Sequence, residues 1–380
     1  MDFELSDEQR LLTDSARAFA ARELAPHAAD WDRDHHFPVE VIRRAAEQGY
    51  LALYIAEEDG GLGLSRLSSS LIFEQLAAGC VATSAYLTIH NMATWMLASF
   101  ADQALKDTWL PGLISGQTLA SYCLTEPDAG SDAANLRTRA RRDGDHYVLD
   151  GAKQFITSGS HAGMVIVFAV TDPQAGKKGI SAFIVPTDTP GFSVVRVEDK
   201  LGQHASDTCQ IAFEDLRVPV ANRLGEEGEG YRIALANLEG GRIGIAAQAV
   251  GMARAAFEAA RDYARERETF GKPIIEHQAV AFRLADMATQ IAVARQMVHH
   301  AAALREAGRP ALVEASMAKL FASEMAERVC SAAIQTLGGY GYLSDFPVER
   351  IYRDVRVCQI YEGTSDIQRL VISRNLGGSD

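Results

Sequence analysis

The hydrophobic period of this chain changes twice, from three-to-four residues to two and back again, and this double change restricts the fold more than any single motif. From Ser6 to about Ser115 the pattern is helical. Ser6 and Gln9 read as a capping box, and Leu11, Leu12, Ala16 and Phe19 recur at helical spacing. Further helices are expected at Pro38 to Gln48, Leu67 to Ala78 and Ser84 to Phe100, while Gly60-Gly61-Leu62-Gly63 reads as a loop that does not match GxGxxG. From about Ala120 to Val220 the period is two. Arg137 to Arg142, a turn at Asp143-Gly144, and His146 to Asp150 predict a hairpin. Val165 to Val170, Ile180 to Val185, Phe192 to Val197 and Cys209 to Phe213 predict further strands. Helical spacing returns in Ala234 to Arg267, Gln278 to Ala307 and Pro310 to Leu337, long enough for antiparallel bundle elements, with Gly338-Gly339 as the C-cap of the last. The expected organisation is an α+β multidomain chain. A helical N-terminal domain would span 1–119, a middle antiparallel β domain 120–229 and a C-terminal helical bundle 230–380.

Such a division needs a large core, which 380 residues at 47% hydrophobic content supply. The net charge of −13 argues against a general nucleic-acid role, because that binding draws on clustered Lys and Arg. Cys80, Cys123, Cys209, Cys330 and Cys358 are scattered and never in CxxC spacing, which fits reduced thiols better than a disulfide or zinc. No metal is expected: His299 and His300 are adjacent, would point about 100° apart on a helix, and are read as surface residues. The start at Met1-Asp2-Phe3-Glu4 is acidic and unlike a signal peptide, and no run of about 18 apolar residues suggests a membrane span. The expected location is cytoplasmic, or an organelle matrix for a processed form.

Two phrases carry the chemistry. Tyr122 to Asp132 is a turn rich in hydroxyls and small residues, suited to wrapping an anionic cofactor with backbone N–H groups. Gln359 to Gln368 sets the Glu362 carboxylate beside Tyr361 and Gly363, suited to proton abstraction where water is excluded. Together they suggest the base of a flavoenzyme. The bland alternative makes Glu362 part of a loop-to-helix junction capped by Thr364 or Ser365.

The chain resembles the acyl-CoA dehydrogenases. The resemblance rests on Tyr122 to Asp132, Phe155-Ile156-Thr157, Arg265 to Gly271, His277-Gln278, Gln335 to Gly341 and Tyr361 to Gln368, in the family's order. Within the family, Ile89-His90-Asn91-Met92, Leu238 to Arg242 and Ser316 to Ala322 look most like the isobutyryl-CoA (short or branched-chain) members. The resemblance implies a C-terminal four-helix bundle, bound FAD and an acyl-CoA substrate. In that reaction Glu362 removes the α proton while a hydride passes from the β carbon to flavin N5. The apolar setting that raises the pKa of Glu362 is expected from Ile360, Tyr361 and Gly363.

By the same resemblance the flavin ring lies against Tyr122, Leu124, Thr125, Gly130, Ser131, Phe155, Ile156 and Thr157. Relatives often carry Trp where Phe155 stands. Arg267, His277 and Gln278, with Gln335, Gly338 and Gly339 of a second copy, would hold the pyrophosphate and adenine end. Thr364, Ser365 and Asp366 complete the FAD contacts; relatives often carry Gln or Glu at 366. A site shared between copies implies at least a dimer, and the family's habit is a homotetramer. Some members place the base immediately before Arg242, where this chain has Gly241.

Glu239 and Arg242 stand at i,i+3, either a surface ion pair or contacts to CoA. Substrate contacts are assigned to Ser131, Glu239, Arg242, Tyr361 and Gly363, with Arg374 for the same anion. Pocket depth is assigned to Tyr86 to Met96 and the Leu238 region. The implied acyl-CoA is isobutyryl-CoA, then butyryl-CoA or 2-methylbutyryl-CoA, oxidised to the 2-enoyl-CoA with an electron-transfer flavoprotein as acceptor. The alternatives are an acyl-CoA oxidase reacting with O2 and a non-catalytic flavin-binding assembly protein.

Overall fold

A computed structural model of the chain describes residues 4–376; Met1, Asp2 and Phe3 of the acidic start lie outside the described residues. Helices α1 (Asp7–Phe19), α2 (Ala28–Asp34), α3 (Val39–Glu47), α4 (Arg66–Gly79), α5 (Val81–Phe100) and α6 (Gln103–Ile114) come first. Ser6 and Gln9 cap α1 reciprocally as their spacing requires. Neither α2 nor α6 was anticipated: α2 is seven residues long, too short for a periodic signal, whereas the Asp102 carboxylate accepting from Leu105 N–H gives α6 a legible N-cap.

The middle segment contributes β1 (Ala120–Cys123), β2 (Arg139–Asp143), β3 (His146–Thr157), β4 (Met164–Val170), β5 (Ile180–Pro186), β6 (Phe192–Val197), β7 (Thr208–Pro219) and β8 (Arg223–Leu224). They form one sheet in the order β6-β7-β3-β2-β4-β5-β8, with β1 beside β4. The pairing is antiparallel except that β1 and the start of β2 run parallel to β4, so the sheet is not purely antiparallel. Both parallel strands reach β4 from connections outside the sheet, which a hairpin pattern does not reveal. The β2–β3 hairpin pairs Asp143 with His146, so its turn is Gly144-Asp145, one residue later than expected.

The last part holds α7 (Gly230–Glu266), a two-stranded ribbon of β9 (Glu268–Thr269) and β10 (Lys272–Pro273), α8 (Gln278–Glu306), α9 (Leu312–Leu337), α10 (Pro347–Val355) and α11 (Ser365–Leu376). Gly338 ends α9 with φ 62°, the left-handed step that glycine takes without strain.

The sheet is buried on both faces. On β4, Met164, Ile166 and Phe168 pack with Leu97, Leu105 and Leu113 of the first helices, while Val165, Val167 and Ala169 pack with Tyr147, Ile211 and Phe213. The two helical segments do not have separate cores. Phe19, Leu76 and Tyr86 share one apolar cluster with Val250, Met287 and Val329. Titratable residues are drawn into this seam, including one of the two histidines expected on the surface. Glu74 is buried there between Arg254 and Arg295, with N–O distances of 2.8–3.1 Å. His299 is half-buried beside them and held below its usual pKa by that burial, and only His300 stays exposed.

Candidate active site

Strand β1 is set in place by α5. His90 accepts the Ala120 N–H at Nδ1 (3.1 Å) and pairs through Nε2 with the Leu113 carbonyl (3.0 Å), and full burial lowers its pKa to about 4. A neutral imidazole with both nitrogens engaged fixes the direction in which β1 leaves the helix layer. Asn91 next to it accepts Leu53 N–H and donates to Tyr50 O, tying the segment after α3 to the same helix. The Ile89 to Met92 phrase is therefore largely scaffold, with Met92 its reactive-site member.

Two residues along β1, the Tyr122 hydroxyl donates to Glu362 Oε1. This bond joins the two phrases, 240 residues apart in sequence. Glu362 lies in the link from α10 to α11, with φ 54°, followed by Gly363 at φ 88°. A left-handed glutamate costs about 1–2 kcal/mol, and the turn is held by named bonds. Gln368 Nε2 donates to the carbonyls of Glu362 (3.2 Å) and Gly363 (2.9 Å), and Lys319 Nζ donates to that of Gly363 (2.6 Å). Thr364 Oγ1 accepts Ile367 N–H and caps α11, so Glu362 itself is not needed as the cap.

The carboxylate is 9% exposed, and its Oε2 has no hydrogen-bond partner among the described residues. Burial raises its pKa, and this outweighs the lowering by the Tyr122 hydrogen bond and the nearby Lys319 and Arg242 charges. The apolar wall is not the one expected: Ile360 is 53% exposed, because the chain reverses at 360–363 and turns it outward. Met92 and Gly241 stand there instead. A Cβ added at Gly241 would lie 2.5 Å from Met92 Cε and 2.7 Å from Glu362 Oε2, so only glycine admits the carboxylate. The rival position for a base is thereby filled by Glu362 itself.

Glu239 and Arg242 are not paired. Glu239 binds Arg305 of α8 at 2.7 Å, whereas Arg242 is buried, donates to Ser316 Oγ (3.2 Å) and turns its charge toward Glu362. An i,i+3 pair needs both side chains on the outer face of the helix, and α7 is enclosed by α4, α5, α8 and α9. Tyr361 is half-buried with its hydroxyl 3.4 Å from Cys358 Sγ. Arg374 lies exposed in the last turn of α11, and no bond links it to Glu239 or Arg242 among the described residues.

On the sheet side, register breaks between Lys153 and Ile156, and Phe155 takes φ 59° with 63% of its surface exposed, while Ile156 points into the core. This bulge presents an aromatic face that strand alternation alone would not expose. Ser121 Oγ donates to the Thr157 carbonyl (2.5 Å), joining β1 to the bulge. Leu124 is buried, Thr125 half-buried, and Gly130 and Ser131 are exposed on the loop that follows. In the same loop Glu126 turns inward to buried Lys153 (2.7 Å).

The remaining candidates form surface patches. Arg267 and Gln278 are exposed; His277 precedes α8 with Nε2 3.1 Å from the Thr269 carbonyl, beside Phe270, which is 97% exposed. Gln335, Gly338 and Gly339 are exposed at the end of α9, near the start of α8 through Arg283 and Thr336 (3.4 Å). No hydrogen bond joins either patch to Phe155 or to the Tyr122 to Ser131 turn among the described residues. Ser365 is buried and Asp366 exposed. Lys319 and Met92 stand inside phrases that carry the resemblance, without an individual role there, and no local spacing announces the contact of Tyr122 with Glu362. Only the i,i+3 spacing of Ser316 and Lys319 hinted that α9 presents a polar face inward.

An exposed aromatic beside hydroxyls, a buried acid with one free oxygen, and glycines with a guanidinium on open surface suit a planar ring carrying a phosphate tail. The chain belongs to the acyl-CoA dehydrogenase family, whose N-terminal, middle and C-terminal domains match residues 6–117, 121–216 and 228–377. It is an oxidoreductase of that flavoprotein family, with short-chain enzymes among its relatives. Mitochondrial isobutyryl-CoA dehydrogenase of Bos taurus is 46% identical over 373 residues, 98% of this chain and 89% of that protein. Butyryl-CoA dehydrogenase from Megasphaera elsdenii superposes with TM-score 0.97 at 41% identity, covering 100% of both chains. A chain solved in work on the electron transferring flavoprotein of Acidaminococcus fermentans matches with TM-score 0.97 and 43% identity over 99% of each. Among the described residues, no helix is long and apolar enough to cross a membrane and no cluster of side chains suits a metal.

Proposed function

We propose that the chain is an FAD-dependent dehydrogenase of short or branched acyl-CoA thioesters, with isobutyryl-CoA first, then butyryl-CoA or 2-methylbutyryl-CoA, and with Glu362 as the base. The observation that carries this reading is the buried Glu362 carboxylate, one oxygen bound by Tyr122 and the other free beside Gly241. A carboxylate held in low dielectric keeps its basicity for a weakly acidic α C–H, and its raised pKa brings it nearer the working pH. FAD, when bound, supplies the hydride acceptor that completes formation of the 2-enoyl-CoA. Phe155, Ile156, Thr157 and the Tyr122, Leu124, Thr125, Gly130 and Ser131 turn would hold its ring. Arg267, His277 and Gln278, with a second copy's Gln335, Gly338 and Gly339, would hold its phosphates and adenine, and Thr364 to Asp366 would border it. That arrangement needs at least a dimer, with a tetramer as the assembly proposed.

Met92 and Gly241 stand against the free carboxylate oxygen, which is buried from water, and the Arg242 charge favours its ionised form. Glu239 is proposed for the CoA portion through its half-buried pair with Arg305, with Ser131, Tyr361, Gly363 and Arg374 as further contacts. An electron-transfer flavoprotein is the proposed acceptor, in keeping with the Acidaminococcus match.

Anaerobic titration of the yellow protein with a panel of short acyl-CoA thioesters tests the reading. Bleaching by branched but not straight chains supports isobutyryl-CoA, and Glu362→Gln keeps its colour but does not bleach. A Glu362→Gln protein that bleaches at the normal rate removes Glu362 from the role of base. Peroxide release in air, measured against turnover with an artificial acceptor, distinguishes an oxidase.

A further inference from the structure

Beneath the Glu362 turn, α9 carries a cation that the reaction as described does not use. Lys319 is fully buried, its Nζ donates to the Gly363 carbonyl at 2.6 Å, and no carboxylate pairs with it among the described residues. A buried ammonium without an ion pair is costly, and an apolar side chain of similar volume would pack there at lower cost. Its burial brings the pKa down to about 8, with Cys358, Glu362 and Glu324 favouring the charge and Arg242 opposing it. One turn earlier on the same helix, Ser316 accepts Arg242 Nη1, so α9 governs both cations that face the base. The other titratable groups that act on Glu362 among the described residues are Tyr122 of β1, Tyr54 of the segment after α3 and Tyr361 of the turn itself.

We propose that Lys319 is a positioning residue for proton abstraction: its ammonium fixes the left-handed Glu362–Gly363 turn through the Gly363 carbonyl and supplies buried positive charge below the base. The inference rests on Glu362 being that base. Holding the turn matters because a displacement of about 1 Å in a reacting group costs on the order of a hundredfold in rate. The charge matters because it opposes the rise in basicity that burial imposes on Glu362, so the carboxylate is ionised over a wider pH range.

Lys319→Gln removes the charge and, one bond shorter, draws the donor back from the Gly363 carbonyl. Per bound flavin, kcat falls about ten- to a hundredfold, KM for the acyl-CoA changes little, and the acid limb of the kcat profile moves to higher pH. A readout without turnover accompanies it: the infrared carboxylic-acid band that disappears in Glu362→Gln persists to higher pH in Lys319→Gln than in the wild type. If wild-type protein bleaches with no thioester, the proposed function fails, while the infrared shift still reports on Lys319. An unmoved band with unchanged kcat per flavin, even with a lower melting temperature, leaves Lys319 a packing residue and overturns the proposal. Should Lys319→Gln not assemble with flavin, Gln368→Leu removes the other donor to the same carbonyl and leaves the buried charge in place. There kcat falls with the acid limb unmoved, and an unchanged kcat overturns the claim that the turn must be held.

Discussion

Glu126 and Glu362 lie in the two phrases that first marked the chain, both are less than a tenth exposed, and their surroundings drive them in opposite directions. Glu126 accepts from Lys153 Nζ (2.7 Å) and from the backbone N–H groups of Arg137 (2.5 Å) and Thr138 (3.0 Å). Burial pushes its pKa up, but Lys153 and these donors outweigh it, and the net shift is down. Glu362 has one donor on one oxygen and none on the other, so burial prevails and the net shift is up. Saturated donors turn a buried carboxylate into a structural knot, here one that locks the Tyr122 to Asp132 turn onto β3. An unfilled oxygen leaves a carboxylate that can still take a proton.

The largest test of this contrast breaks the knot. Lys153→Met leaves the Glu126 carboxylate buried and uncompensated and should cost about 3–5 kcal/mol in denaturant unfolding at neutral pH. Glu126→Gln should fall in the same direction. Because the folded pKa of Glu126 is lowered, its contribution is present above the unfolded value of 4.5 and lost as pH falls through the folded value. The penalty of Glu126→Gln should therefore shrink on acidification.

Gly241→Ala comes next, since the new methyl meets both Met92 and Glu362 Oε2. Overpacking of this kind costs about 1–3 kcal/mol, and displacement of the base should lower the rate of flavin bleaching about tenfold or more. Melting curves and stopped-flow bleaching check the two parts separately.

Glu362→Gln should show the opposite sign from Glu126→Gln. A carboxyl whose folded pKa is raised contributes stability fully below the unfolded value of 4.5, and loses it as pH rises through the folded value. The variant should thus melt higher than wild type at neutral pH, with the gap closing toward pH 4. Equal melting temperatures across that range would mean that Glu362 is not desolvated as the structure shows. Smallest is Glu239→Gln, which loses a partly exposed bond to Arg305. Stability should change by about 1 kcal/mol or less, and a rise in KM for acyl-CoA without a change in kcat would support its contact with CoA.

How far the site could be read beforehand differs between its halves. The Glu362 turn announced itself because a carboxylate, a glycine and a hydroxyl cap stand within four residues, and local spacing is what a sequence displays directly. Phe155 was legible as a residue but not as an exposed face, since its outward direction comes from a bulge set by pairing with β7. Of the two readings open for Glu239 and Arg242, the ion pair fails, because helix spacing says which side chains share a face and not which neighbouring helix claims them. Ile360 was misread for the same reason: apolar character does not fix which side of a turn a residue occupies.

The sequence by itself determined the order of helical and extended segments, the cap of α1, the glycine stop of α9 and the carboxylate-glycine pair at Glu362-Gly363, all of which depend on residues a few positions apart. Tertiary structure alone decided that two helical segments share one core, that Tyr122 meets Glu362, that Gly241 makes room for the carboxylate and that Lys319 lies under it. Those facts depend on which surfaces exclude water together. Desolvation is a property of the whole packing, so the chemical state of a side chain follows from neighbours that its own stretch of sequence never names.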